Sequence, residues 1–252
     1  MWNDPRMMNI TANLLLALAF ALGLAAGCAW LAQRPMFTLV AIRVEGAQGP
    51  LRHINHPVVR ASALPRLAGN FFTVDLQAVQ GAFEGVPWVR RADVRRQWPN
   101  RLVVAIEEHK PLGLWGDGRL VNTFGELFAA NQAEAEEDDL PELAGPSGTE
   151  RDVAQRLNDF RAWLAPLKRE PVRVLLSPRY AWQVRLDSGL LVELGREQGA
   201  NTLQERIGRL VRFLPAVEGK LGRSPDYVDL RYPNGFAVRG PRLADQRATV
   251  KS

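Results

Sequence analysis

A chain of 252 residues, 46% hydrophobic and 23% charged, has the apolar content for one or two packed domains and falls outside the disordered and low-complexity classes. Its net charge of +5 comes from basic residues scattered through predicted strands and helices, with no long Lys/Arg run, and this argues against nucleic-acid binding. The one cysteine, Cys28, excludes an intramolecular disulfide and leaves the redox compartment open.

From Ile10 to Ala32 the chain carries no charge, and Thr11 and Asn13 are its only clearly polar residues. About 20 apolar residues cross hydrocarbon as a helix, which satisfies its own backbone groups. Trp30 lies near one end, where an indole suits the headgroup region. The run is longer than the apolar core of a cleaved signal peptide. Ala25-Ala26-Gly27-Cys28 resembles a lipidation box, but Ala25 stands where a larger aliphatic residue is usual, and apolar residues continue past the cysteine. The run therefore reads as a membrane anchor over residues 10–32, preceded by a tail of residues 1–9. Arg6 flanks one side and Arg34 and Arg43 the other, so charge bias does not orient it.

Phe37 to Gly46 reads as a strand closed by a glycine turn. Helical character follows from about Pro57 to Leu67 and again from Asp75 to Phe83, where Leu76, Val79 and Phe83 recur at helical spacing and Asp75 can cap. Trp88–Arg96 and Arg101–Glu108 read as strands around a turn at Trp98-Pro99-Asn100. Leu102, Val104 and Ile106 line one buried face of the second. Strand, helix, helix, strand, strand over residues 37–108 is a small α+β domain with helices on one sheet face. Trp88 and Trp98 read as packing residues, and Arg90, Arg91, Arg95 and Arg96 either solvate the sheet or form a docking face.

A second domain is expected over residues 109–240. Glycines at 113, 116, 118 and 125 break Leu112–Phe128 into hairpins, and Glu134–Asp139 is an acidic, solvated loop. Thr149 opens a helix whose apolar stripe is Val153, Leu157, Phe160, Leu164 and Leu167. Val172–Ser177, Tyr180–Asp187 and Leu190–Leu194 read as strands. A second amphipathic helix starts at Thr202, with Glu205 in capping-box position. Asp226–Arg231 and Phe236–Arg239 form a final hairpin around Pro233-Asn234-Gly235, and residues 241–252 are a flexible polar tail. The fold class is α+β: one N-terminal transmembrane helix, a small β-α-α-β-β domain, then a mixed β-domain with two amphipathic helices.

A search for chemistry finds no phosphate-binding loop and no G-x-S-x-G elbow. His53 and His56 are three apart, but no cysteine or third histidine is near and Pro57 follows directly, so a structural role reads better than a metal site. Glu107 and Glu108 alternate across a strand and point to opposite faces, which does not make an acid–base pair. No catalytic, cofactor-binding or metal-binding residue is assigned.

The block Val86-Pro87-Trp88-Val89, Ala92, Val94, Arg96, Trp98-Pro99, Leu102, Val104, Glu107 and Pro111 resembles the POTRA domain of the FtsQ/DivIB cell-division family. Trp182-Gln183, Leu194-Gly195-Arg196 and Tyr227-Val228-Asp229-Leu230-Arg231-Tyr232 resemble that family's β-domain. The resemblance runs from the anchor to about Val238. It implies a bitopic inner-membrane protein of the bacterial divisome, with its short tail cytoplasmic and its body periplasmic. It also implies a scaffold rather than an enzyme, which binds FtsB and FtsL and links early division proteins to the septal peptidoglycan synthase, FtsW with FtsI.

In the family, FtsB binds on the last strand of the β-domain. That maps here to Tyr232–Val238, with Arg231, Tyr232, Asn234, Gly235, Phe236, Ala237 and Val238 as candidate contacts. Arg179 matches a family arginine that pairs with an acidic partner residue, whereas Tyr180 stands where relatives carry a basic residue. Tyr232 is either an interface anchor or a core residue. A charged residue at Phe236 is expected to weaken capture of FtsB and FtsL. Two alternatives stand beside this reading. One is a POTRA-containing outer-membrane assembly or transport factor, which needs tandem POTRA patterns or a following barrel. The other is a periplasmic lipoprotein, which rests on Cys28.

Overall fold

The uncharged N-terminal run folds as one helix, α1, Pro5–Ala32. Over Asn9–Trp30 it is long and apolar enough to cross a membrane, and its side chains there are exposed, Cys28 among them. The computed structural model describes residues 5–32, 34, 37–54, 69–135, 140–197 and 202–240. It divides into two compact units, Met1–Glu108 and His109–Ser252. The helix expected over Pro57–Leu67, His56, most of the acidic loop and the polar tail lie outside the described residues.

Beyond α1, the first unit has strand β1 (Ala41–Gly46), helix α2 (Leu76–Glu84) and strands β2 (Val89–Gln97) and β3 (Arg101–Glu108). The sheet order is β1-β3-β2, with β1 parallel and β2 antiparallel to β3. α2 starts where Asp75 accepts hydrogen bonds from the Gln77 and Ala78 amides at 2.9 and 3.2 Å, which satisfies two of the orphan donors of its first turn. Its Val79, Ala82 and Phe83 bury against the sheet with Leu102, Val104 and Ile106. Burying Phe83 and Leu102 completely contributes on the order of 2 kcal/mol each.

The expected strand from Phe37 is four residues shorter. Phe37 donates its amide to Arg34 O at 3.0 Å in a turn, and the ladder begins only at Ala41. Glu108 lies on the opposite side from Glu107 and accepts the amides of Arg52, His53 and Ile54 at 2.9–3.1 Å. Glu107 meets the Arg90 guanidinium at 2.9 Å. Trp88 is buried, holds φ +71° and stacks on His53 with centroids 4.1 Å apart. Trp98 is not a packing residue: at the tip of the β2–β3 hairpin it is 77% exposed.

The second unit contains β4 (Pro111–Trp115), β5 (Leu120–Asn122), β6 (Leu127–Phe128), β7 (Glu142–Ala144), α3 (Glu150–Leu164), β8 (Pro171–Leu176), β9 (Trp182–Leu186), β10 (Leu191–Gly195), α4 (Leu203–Leu221), β11 (Tyr227–Asp229) and β12 (Ala237–Arg239). They form one sheet in the order β12-β11-β10-β9-β8-β7-β4-β5-β6. Two parallel pairs are bridged by helices: β7 to β8 through α3, and β10 to β11 through α4. Both helices pack on one sheet face, so β9 alternates: Trp182, Val184 and Leu186 are buried under them while Arg185 is exposed. α4 carries the expected capping box, in which Thr202 Oγ1 accepts from the Glu205 amide at 3.2 Å and the Glu205 carboxylate accepts from the Thr202 amide at 2.9 Å. Thr149 precedes α3 but makes no side-chain cap. Its hydroxyl donates to Pro146 O at 2.6 Å instead.

Candidate partner-docking edge

β12 is the last strand of the sheet, and among the described residues no strand pairs its outer side. It is held from within. Its partner β11 gives the register Tyr227↔Arg239, Val228↔Val238 and Asp229↔Ala237. Arg239 lies over the Tyr227 ring at 4.9 Å from the centroid, a cation–π contact across the pair. Phe236 and Val238 are half-buried against the core, whereas Ala237 is exposed.

The candidate stretch is therefore not one strand. Tyr232 to Gly235 form the connection before β12, and only Ala237 and Val238 of the candidates belong to the strand. Tyr232 is not core: it is 56% exposed. What fixes the connection is α4. The Arg209 guanidinium donates through Nη1 to Tyr232 O at 2.9 Å and to Pro233 O. Charge-assisted bonds of this kind hold the turn that presents the tyrosine ring.

Strand direction brings a second candidate to the same place. β8, β10 and β11 run in one direction, because β9 is antiparallel to β8 and β10 while β11 is parallel to β10. Their carboxyl ends therefore share one end of the sheet. That end holds the β8–β9 turn with Arg179, the exit of β10 at Gly195-Arg196, and the connection from Leu230 to Phe236. Arg179 is exposed in a turn closed by the Tyr180 amide on Ser177 O at 2.8 Å. Tyr180 occupies the left-handed region at φ +58° and is 60% exposed. A bulky non-glycine residue held there marks a constrained, outward-facing position. Sequence pattern places Tyr180 at the start of a strand, and the family resemblance marks it as a departure; in the structure it lies in the turn, and β9 begins only at Trp182.

Two further residues shape this end. Arg206 is on the buried stripe of α4 with Leu203, Ile207 and Leu210, and is 6% exposed. Its Nη1 donates to Leu194 O at 2.5 Å and to Arg196 O at 2.8 Å, which straps the exit of β10. Burial pushes its guanidinium down, and neighbouring Arg209 adds to this. A basic residue on an otherwise apolar stripe was the sequence signal for it. Gly195 stands at φ +73° beside this strap, and a Cβ there would come within 2.8 Å of Arg231 Cγ, so only glycine fits without displacing Arg231.

Arg231, a candidate contact, is committed internally. Its Nε and Nη2 donate to the carboxylate of buried Asp229 at 2.9 and 2.6 Å. Those bonds hold the Asp229 carboxyl below the usual carboxylate range, although burial opposes them. A carboxyl depressed in the folded state contributes stability above its unfolded value and loses it as pH falls through the folded value. Arg231→Ala is expected to cost about 1–2 kcal/mol at neutral pH, a modest figure because Arg231 is largely solvated. The advantage of the native protein should shrink as pH falls below the usual carboxylate range and through the depressed Asp229 value. Urea unfolding of both proteins at neutral and acid pH checks this.

Among the described residues no group of three or more His, Cys, Asp or Glu side chains could hold an ion. His53 is stacked on Trp88, and His109 is stacked on Phe128 at 4.0 Å and lies 2.9 Å from Asn122 Nδ2.

Comparison with known proteins accords with this architecture. The family model "POTRA domain, FtsQ-type" matches residues 39–109, and "Cell division protein FtsQ/DivIB, C-terminal" matches residues 113–231. The second ends at Arg231, so the connection and β12 lie beyond it. A cell division protein FtsQ of Burkholderia pseudomallei is 52% identical over 239 residues, which cover 95% of this chain and 94% of the relative. One from Bordetella pertussis is 45% identical over 263 residues, 99% and 96% of the two chains. One from Nitrosospira multiformis is 40% identical over 244 residues, 96% and 100%. These relatives and the exposed apolar helix α1 fit a single-pass inner-membrane protein. With matches spanning the POTRA unit, the second unit and nearly the whole length of several relatives, the chain belongs to the FtsQ/DivIB family of cell division proteins.

Proposed function

We propose that this chain is a non-enzymatic scaffold of the divisome at the septum, with residues 1–9 in the cytoplasm and its body in the periplasm. It captures FtsB, and with it FtsL, by strand addition to β12, and so links early division proteins to septal peptidoglycan synthesis by FtsW and FtsI. The observation that carries this reading is the outer side of β12, which no strand among the described residues pairs, next to an exposed tyrosine on a turn clamped by Arg209. An edge strand offers a row of N–H and C=O groups that a partner strand can complete, and neighbouring side chains supply specificity. β12 is only three residues long, a length that limits indiscriminate edge pairing. Tyr232 is the anchor and Arg179 the cation for an acidic partner residue.

Charge supports an acidic partner. The segments at this end of the sheet, 177–181 and 230–236, contain no carboxylate; Arg179 is exposed there, while the charge of Arg231 is matched by Asp229. At the exit of β10, Arg196 is exposed, and Glu197 is engaged by Arg156 at 3.0 Å. A positive rim of this kind steers an acidic segment and fixes its register more than it adds affinity. A photoreactive side chain placed at Tyr232 or Ala237 in dividing cells is expected to form a covalent adduct with FtsB. If FtsB is captured only from positions elsewhere on the second unit, the assignment to β12 fails.

A further inference from the structure

Three chain segments meet at one end of the first unit's sheet. β1 is parallel to β3, and β2 is antiparallel to it, so the start of β1, the start of β3 and the end of β2 lie together. The Val40 amide donates to Asn100 O at 3.1 Å, and the Phe71 amide to Phe37 O at 2.9 Å. Arg96, near the end of β2, donates to Phe71 O and Val74 O at 2.8 Å each. This tip carries apolar side chains that the core does not use. Trp98, Val40 and Phe72 are all at least half exposed, and Phe72 is packed edge-on to Phe37 at 4.9 Å. Exposed apolar groups gathered at one place mark a surface that meets something.

Chain length identifies what it meets. α1 ends at Ala32, and Phe37 is five residues further on. Five extended residues reach at most about 18 Å, and the turn between Arg34 and Phe37 shortens that span. The headgroup layer itself is several ångströms deep beyond the hydrocarbon. Whichever way α1 is oriented, this end of the sheet is tethered beside the surface its own anchor crosses. Its composition suits that surface. Residues 34–40, 69–74 and 96–101 contain Arg34, Arg96 and Arg101 and no Asp or Glu. Tryptophan and arginine together are the residue types that settle among headgroups. Trp30 and Arg34 already pair in this way at the end of α1, with the guanidinium carbon 3.5 Å from the ring centroid.

We infer that the tip formed by Val40, Phe72 and Trp98 is a membrane-contact surface. It seats the first unit on the headgroup layer of the bilayer that α1 anchors, with Trp98 inserted and Arg34 and Arg101 on anionic lipid. The seat makes the short connection after α1 a second attachment rather than a free hinge. It also restricts the directions in which the rest of the body can point.

The test uses the full chain with Cys28→Ser, reconstituted in nanodiscs of phosphatidylethanolamine and phosphatidylglycerol. A fluorophore is attached through Gln97→Cys, beside the tip, or through Ala47→Cys at the far end of β1. The second position is about 20 Å along the strand. Lipids carrying a nitroxide on the headgroup are expected to quench most of the emission at position 97 and almost none at 47. Trp98→Ser with Phe72→Ser should abolish most of the difference. Equal quenching at both positions overturns the inference and leaves the aromatic tip to a protein partner. Quenching at 97 that is unchanged by the two serines overturns it as well, because the tether alone would then account for proximity.

Discussion

Tyr232→Ala is expected to weaken binding of the FtsB segment about thirty-fold, a loss of roughly 2 kcal/mol typical of an aromatic anchor. It should leave the stability of the free protein within about 0.5 kcal/mol of the original. The ring is more than half exposed in the free chain and packs no core, so its removal has little to disturb there. Tyr232→Phe keeps the apolar ring and should retain most of the affinity. Titration calorimetry with the full chain in detergent separates the outcomes. A Tyr232→Ala protein that binds as tightly as the native one removes the turn from the interface. Phe236 is a poorer probe. It is half-buried on the core, so a charged residue there costs stability as well as binding and the two effects are confounded.

The second large effect lies beneath that turn. Arg206→Ala removes the donor that two carbonyls share and leaves a void on the buried face of α4. The expected loss is about 3 kcal/mol, from unpaired acceptors and the cavity together. For a unit of this size that lowers Tm by roughly 10 °C. Arg206→Met fills the volume but restores no hydrogen bond, and about half the loss should remain. Differential scanning calorimetry on the three proteins checks the order. Equal stability of the methionine variant and the native protein would show that packing alone holds the exit of β10.

Local signals carried the helices among the described residues. The Thr202–Glu205 capping box and the stripe Leu203, Ile207, Leu210 and Leu214 announce α4 without help from the rest of the chain. The alternation of Leu102, Val104 and Ile106 announces β3 in the same way. β7 gave no such signal: Glu142–Ala144 is three residues long, too short for a period of two to register. Nor does periodicity say which strands run parallel, since β4 beside β7 and β10 beside β11 are pairings between distant segments.

That non-local information assembles the candidate edge. Arg179 and Tyr232 are more than fifty residues apart in sequence and share one end of the sheet only because β8, β10 and β11 run the same way. Trp98 shows the limit from the other direction. An indole between two strands reads as core, because large aromatic side chains contribute most when buried. Its exposure comes from its place at the tip of the β2–β3 turn, beyond the residues that pack between α2 and the sheet.

Amide hydrogen exchange measured residue by residue distinguishes strand addition at β12 from every other mode of partner binding. With saturating FtsB segment, the outward-facing amides of Ala237–Arg239 should slow by about ten-fold or more as they become cross-strand donors. The opposite edge, Leu127–Phe128 in β6, should be unchanged. Saturated binding with unaltered exchange throughout β12 would contradict strand addition at this edge.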